Sequence, residues 1–192
     1  MILTPGAVLR VGGLVLAAVV LQLSGVAGAR FLGATIDLIP LVVAGVAIYA
    51  GSVSGAATGF AAGLLLDLAV GQTVGASSLV LTAIGYGVGR YREVRDPAHG
   101  LMPIPVGAAA TAGWVVAYGA VSFMLDIGTD VSPLIFRDMI TTVAINSIVA
   151  LPVFAISRRV LRPSLAVDPF ERHRRRQPPR ETGPLGLRGL EV

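Results

Sequence analysis

The stretch from Gly51 to Arg90 constrains this chain more than any other. It reads GSVSGAATGFAAGLLLDLAVGQTVGASSLVLTAIGYGVGR, with one charged side chain, Asp67, ahead of Arg90. Gly51, Gly55, Gly59 and Gly63 recur every four residues, which lines them up along one stripe of a helix. Gly85 and Gly89 repeat the spacing. In water each glycine would weaken a helix by about 1 kcal/mol relative to alanine. In lipid, glycines four apart let two helix backbones approach closely. The stretch is therefore predicted to be a packed pair of membrane helices. Gly55, Gly59, Gly63, Gly85 and Gly89 form its helix-packing or partner-binding face.

The rest of the chain agrees with a bilayer setting. Only 14% of the 192 residues are charged, against about 25% in a soluble domain. Nine of the fifteen basic residues, all arginines, follow Ser157. Uncharged runs cover 11–29, 38–66, 68–89, 101–125 and 139–157. A spanning helix takes roughly 20 apolar residues, so these runs supply five or six spans. With no cysteine, disulfide and thiolate chemistry are excluded. Ala27-Gly28-Ala29 has the small residues of a cleavage site, but no charged head precedes the first apolar run and further spans follow. A retained first helix is expected.

The predicted architecture is an all-α integral membrane domain over 1–160. Its helices are expected at about 7–29, 38–50, 53–70, 74–89, 102–125 and 134–156. The 38–66 run is too long for one span, and Gly51-Ser52 is its expected break. Helix 2 would then be short, tilted or partly re-entrant. Pro40 fits the first turn of that helix, and Pro152 should kink helix 6 near its end. Arginines in short loops mark the cytoplasmic side. Arg158, Arg159 and Arg162, with Arg90, Arg92 and Arg95, give an N-in/C-in arrangement that only Arg30 violates. A five-span version would put the N-terminus outside.

Residues 161–192, rich in Arg, Pro and Gly, cannot bury a core and are expected to be a disordered cytoplasmic tail. Its cluster Arg172, Arg174, Arg175 and Arg176 fits either a solvated, orienting tail or a contact with anionic lipid.

Chemistry-bearing residues are few. Asp67 is the ionisable group expected at membrane depth. It reads either as an ion or proton site, or as a structural acceptor for N–H groups of the Gly71–Thr73 turn. Tyr86 and Arg90, four apart, read as interfacial anchors or as a partner contact. Trp114 and Tyr118 are four apart on helix 5, and Asn146 is placed to hydrogen-bond across helices. The two histidines, His99 and His173, lie in a loop and in the tail, out of reach of a membrane serine. No carboxylate pair, His/Cys metal set or phosphate loop is present. No catalytic, metal or cofactor site is expected, and no nucleic-acid partner.

The run Gly59-Phe60-Ala61-Ala62-Gly63-Leu64-Leu65-Leu66-Asp67, then Gly71, Gly75 and Gly85-Tyr86 with Gly89-Arg90, resembles the rod-shape-determining MreD family, as does the Asp37-x-x-Pro40 start of helix 2. The resemblance implies a non-enzymatic membrane scaffold of the cell-elongation machinery. It implies an MreC-like membrane partner, and indirect links to the MreB filament and the peptidoglycan synthases. It also implies a six-helix fold similar to the substrate-binding subunits of energy-coupling-factor vitamin transporters. A small-molecule carrier of that type is the alternative. Its polar candidates would be Gln72, Thr73, Ser77 and Asp126, few for a ligand pocket.

Overall fold

The computed structural model describes residues 5–25, 35–71, 73–94, 103–124 and 133–165. They form six helices: α1 (Pro5–Leu23), α2 (Leu38–Ala50), α3 (Ser52–Val70), α4 (Ala76–Val94), α5 (Pro103–Met124) and α6 (Pro133–Leu165). Four of them, α1, α3, α5 and α6, are long and apolar enough to cross a membrane. At 13 residues, α2 is about 20 Å long, against a hydrocarbon core of about 30 Å. α4 has the length but ends in Arg90-Tyr91-Arg92-Glu93, which lowers its apolar character.

The helices are arranged as a wheel. The hub is α2, which touches each of the other five. These close a ring in the order α1, α3, α4, α5, α6 and back to α1. The sequence explains the hub: LIPLVVAGVAIYA has no charge and no polar side chain short of Tyr49, and every residue from Ile39 to Ile48 is buried. A helix apolar on all sides belongs in the centre of a bundle. The ring helices bury one stripe each and turn large apolar side chains outward, among them Leu16 and Val20 of α1, Phe60 and Leu68 of α3, Phe123 of α5 and Ile148 of α6.

Small residues set how closely the spokes approach. A methyl group at Gly45 would lie 2.8 Å from Ser157 Oγ, and one at Gly107 would collide with the Ala150 side chain. Phe154 of α6 and Leu81 of α4 are the large, fully buried side chains that the ring helices contribute to the core. The hub runs parallel to α4, since Val43 lies by Gly85 and Tyr49 by Arg92. It also runs parallel to α6, where Asp37 meets Asn146 and Gly45 meets Ser157.

Several boundaries differ from expectation. α1 stops at Leu23, not at 29. Ser24 turns its hydroxyl back onto the Leu21 carbonyl, 3.1 Å away, a local bond that competes with helix continuation. α4 begins at Ala76 and runs on past Gly89 to Val94, because Arg92 and Glu93 are anchored on neighbouring helices. α6 passes through Pro152 and reaches Leu165, into the segment expected to be tail, with Ser157 and Leu161 still buried. The rest of the tail, including Arg172, Arg174, Arg175 and Arg176, lies outside the described residues, as do Arg30, Arg95 and His99.

Candidate functional site: a glycine seam with exchanged carboxylates

The two glycine rows face each other. Gly55, Gly59 and Gly63 of α3 and Gly85 and Gly89 of α4 are all buried. A methyl group at Gly55 would lie 2.5 Å from both the Gly85 carbonyl oxygen and the Ala47 side chain. At Gly59 it would overlap the Leu81 carbonyl, at Gly63 the Ser78 backbone, and at Gly89 the Ser52 backbone. As numbers rise along α3 they fall along α4, so the helices are antiparallel. Backbone meets backbone over about three turns, with no side chain between. Nothing larger than glycine fits there, and the seam has no surface left for another protein.

Each end of the seam is closed by a carboxylate from the opposite helix. At one end Asp67, near the C-terminus of α3, is 1% exposed. Its Oδ2 accepts the Gly75 N–H at 2.7 Å and its Oδ1 the Ser77 N–H at 3.3 Å. The first belongs to the residue just before α4 and the second to its first turn, where helix N–H groups have no partner within their own helix. The acceptor role expected for Asp67 is thus directed at Gly75 and Ser77 and not at the Gly71–Thr73 turn. The turn instead presents those amides to it: Gly75, at φ +107°, adopts a conformation open to glycine and rarely to other residues.

At the other end Glu93, near the C-terminus of α4, accepts the Ser52 N–H at 3.1 Å and the Ser52 hydroxyl at 2.6 Å. Ser52 is the first residue of α3, so the arrangement mirrors that of Asp67. A negative charge at a helix N-terminus is also favoured by the helix dipole. Arg90 adds an ion pair to Glu93 at 3.0 Å. The two Ser52 bonds and Arg90 hold the Glu93 carboxyl well below the usual range, at about 2. Arg92 donates to the Tyr49 carbonyl at 2.6 Å, so the last turn of the hub is anchored by the same stretch of α4. The break between α2 and α3 is Gly51, at φ +91°. Tyr86 is exposed on the outer side of α4, four residues from Arg90, whose partner is Glu93.

A second polar cluster holds the N-terminus of the hub. Gln22 of α1 accepts the Leu38 N–H at 2.8 Å and donates to Asp37 Oδ1 at 3.2 Å. Asn146 of α6, fully buried, accepts the Asp37 N–H at 3.2 Å and donates to the Thr35 carbonyl at 3.4 Å. Thr142 accepts the Thr35 N–H at 3.3 Å. Burial pushes the Asp37 carboxyl up to about 6, against the opposing pull of the Gln22 bond. Asp67 is therefore not the only ionisable group set into the apolar body, as the runs alone suggested. The signal for this cluster was in the sequence: Gln22 and Asn146 are lone amides in apolar runs, and Asp37 stands where a helix cap belongs.

Of the residues considered for a carrier pocket, the two described ones, Thr73 and Ser77, differ in exposure. Ser77 is buried under Asp67, Thr73 is exposed, and Gln72 and Asp126 lie outside the described residues. Trp114 stacks on Tyr118 with ring centres 4.8 Å apart, within the ring of helices.

A family model described as rod shape-determining protein MreD matches residues 7–160. The chain belongs to the MreD family. The match starts in α1 and ends in α6, so it takes in the hub, the ring and both capped ends of the glycine seam. No curated protein and no solved structure matches the chain. MreD membership gives it a place in rod-shape determination and accords with a membrane location.

Proposed function

We propose that this MreD-family chain is a membrane scaffold of the rod-shape machinery, holding an MreC-like protein and supporting lateral peptidoglycan synthesis. The observation that carries the reading is where its polar groups go. Asp67, Glu93, Gln22, Asn146 and Arg92 are each bonded to the backbone at the end of another helix. They hold the bundle in one arrangement and, among the described residues, leave no converging set of polar side chains for a substrate. A body of that kind acts by presenting its outer surface.

The glycine seam is used up inside the bundle, so the MreC-like partner is assigned to the exposed outer faces of the ring helices. We place both termini in the cytoplasm. Arg10, Arg90, Arg92, Arg158, Arg159 and Arg162 all lie at the end of the bundle that holds Gly51, as the inside bias of arginine requires. On this orientation the Asp37 and Asp67 ends face outward. A six-helix fold of the vitamin-transporter subunit kind is part of this reading, supported by the count of six helices among the described residues. Links to the MreB filament and the synthases pass through the partner.

The test is recovery of the partner. A protein with one membrane helix and an extracytoplasmic domain should co-purify with the full chain in mild detergent. Its absence, with the chain intact and folded, would defeat the scaffold reading. A thermal-shift screen showing a clear vitamin ligand would favour the carrier.

A further inference from the structure

Asp37 joins three helices at the N-terminus of the hub. Its main chain is fixed to α6. Asn146 accepts the Asp37 N–H at 3.2 Å and donates to the Thr35 carbonyl at 3.4 Å, and Thr142 accepts the Thr35 N–H at 3.3 Å. Its side chain is fixed to α1. Gln22 donates to Asp37 Oδ1 at 3.2 Å and accepts the Leu38 N–H, the first of the hub, at 2.8 Å. Asp37 stands at the N-cap position of α2, yet its carboxylate makes no capping bond to that helix.

The two attachments are unequal. Thr142 and Asn146 are both buried in the body of α6. In α1 no residue past Val19 is buried, and Val20, Leu21 and Leu23 are exposed. The last turn of α1 is therefore held to the hub chiefly by the Gln22 amide. Such weakly buried ends are where local opening costs least.

The carboxylate has few partners. Asp67 receives an N–H on each oxygen. Asp37 receives one neutral amide on Oδ1, and its Oδ2 has no partner among the described residues. It forms no ion pair among them either. α1 presents Gln22 to it, and α6 presents Asn146 and Thr142, all neutral. Asp138 lies one turn beyond Thr142 on the same edge of α6, with Arg137 next to it, and both are exposed. On α3, Asp67 is tied to Gly75 and Ser77. α4 and α5 carry no charged side chain at this end among the described residues. Burial with a single neutral donor disfavours the charged form, and the Asp37 carboxyl is pushed up to about 6. Once charged, it gains by reaching water, and α1 is the attachment that can yield.

We propose that the Gln22–Asp37 contact is a proton-controlled latch: with Asp37 protonated the last turn of α1 stays on the hub, and loss of the proton releases it. The open form binds fewer protons than the closed one, so rising pH favours it. The carboxyl titrates near 3.8 in water and at about 6 when latched, so the open-to-closed ratio can rise by at most about a hundredfold. On the orientation proposed above the latch faces the outer side of the membrane, but its action depends neither on that orientation nor on the partner.

The experiment is a distance measurement between spin labels on the full chain in lipid nanodiscs. The labels go on Leu23→Cys of α1 and Ile140→Cys of α6, both exposed positions, and no native cysteine competes. At pH 5 one distance should dominate. At pH 8 a second, longer distance should grow in. Asp37→Asn should hold the single distance at both pH values, and Gln22→Leu should show the longer one at both. Asp138→Asn should respond like the parent. A pair on Thr73→Cys and Ile140→Cys, which leaves α1 out, should not change. An unchanged distribution in the parent, a pH response that survives in Asp37→Asn or one lost in Asp138→Asn overturns the latch. So does closure of Gln22→Leu at pH 5. An equal change in the Thr73/Ile140 pair also overturns it, because the whole bundle would then be moving.

Discussion

Three carboxylates sit in or beside the apolar body, and their surroundings separate them. Asp67 is almost fully buried and satisfies two amides at the start of α4. Asp67→Ala should cost about 2 kcal/mol or more, because a helix cap is lost and the freed N–H groups stay away from water. Unfolding of the detergent-solubilised protein measures this, and Asp67→Asn should recover part of it. Glu93 and Asp37 give opposite pH responses. The folded-state value of Glu93, about 2, lies below its reference value of 4.5. Between those limits the unfolded chain binds more protons, so stability rises with pH there and is lost as pH falls toward 2. Glu93→Gln should flatten that limb of the profile. For Asp37 the folded value, about 6, lies above 3.8. The folded chain then holds the extra proton, so stability falls as pH rises from about 4 to 6. Asp37→Asn keeps an acceptor for Gln22 without the charge. It should remove that decline and raise the melting temperature at neutral pH, as a pH series of thermal melts would show.

Among the elements, the α3–α4 pair is the one whose contact allows no substitution. Gly59→Leu places a side chain against the Leu81 carbonyl, where neither backbone can yield without parting the helices. Overpacking of this kind costs roughly 1–3 kcal/mol or more. Gly87 makes the control. It lies on the same helix as Gly85 and Gly89, but a methyl group there meets nothing within 4 Å. Gly87→Ala should be neutral or slightly stabilising, in line with helix propensity. Comparing the two variants by thermal melting separates the seam from glycine content in general. The seam was legible in the sequence because four-residue spacing is a property of one helix, visible without a partner. The direction of Asp67 was half legible: its acceptor role followed from its place near a glycine turn, its partners from a turn geometry that local sequence does not spell out. Glu93 was not legible as a cap. It caps a helix 41 residues away in sequence, and no local pattern records a contact of that range. The hub position of α2 was also missed. A short, wholly apolar run reads equally as a tilted or re-entrant segment, and only the surrounding ring shows that it is central.

At the scale of the whole molecule, a helix too short to cross a bilayer sits at the centre of one long enough to do so. Its backbone ends cannot be left to lipid, where an unsatisfied amide or carbonyl costs several kcal/mol. Gln22 and Asn146 meet the amides at one end and Arg92 a carbonyl at the other. The wheel thus ties α1, α4 and α6 to the hub by hydrogen bonds as well as by packing, and the charge sorting between its ends is what the proposed orientation rests on. The orientation is open to a direct measurement because the chain has no cysteine, so a single introduced thiol reports its own side. Thr73 and Val94 are both exposed and lie at opposite ends of α4. A membrane-impermeant maleimide applied to intact spheroplasts should label Thr73→Cys at once, and Val94→Cys only after permeabilisation. The reverse pattern would turn the bundle over and place the arginine-rich end outside, against the inside bias on which the proposed orientation rests.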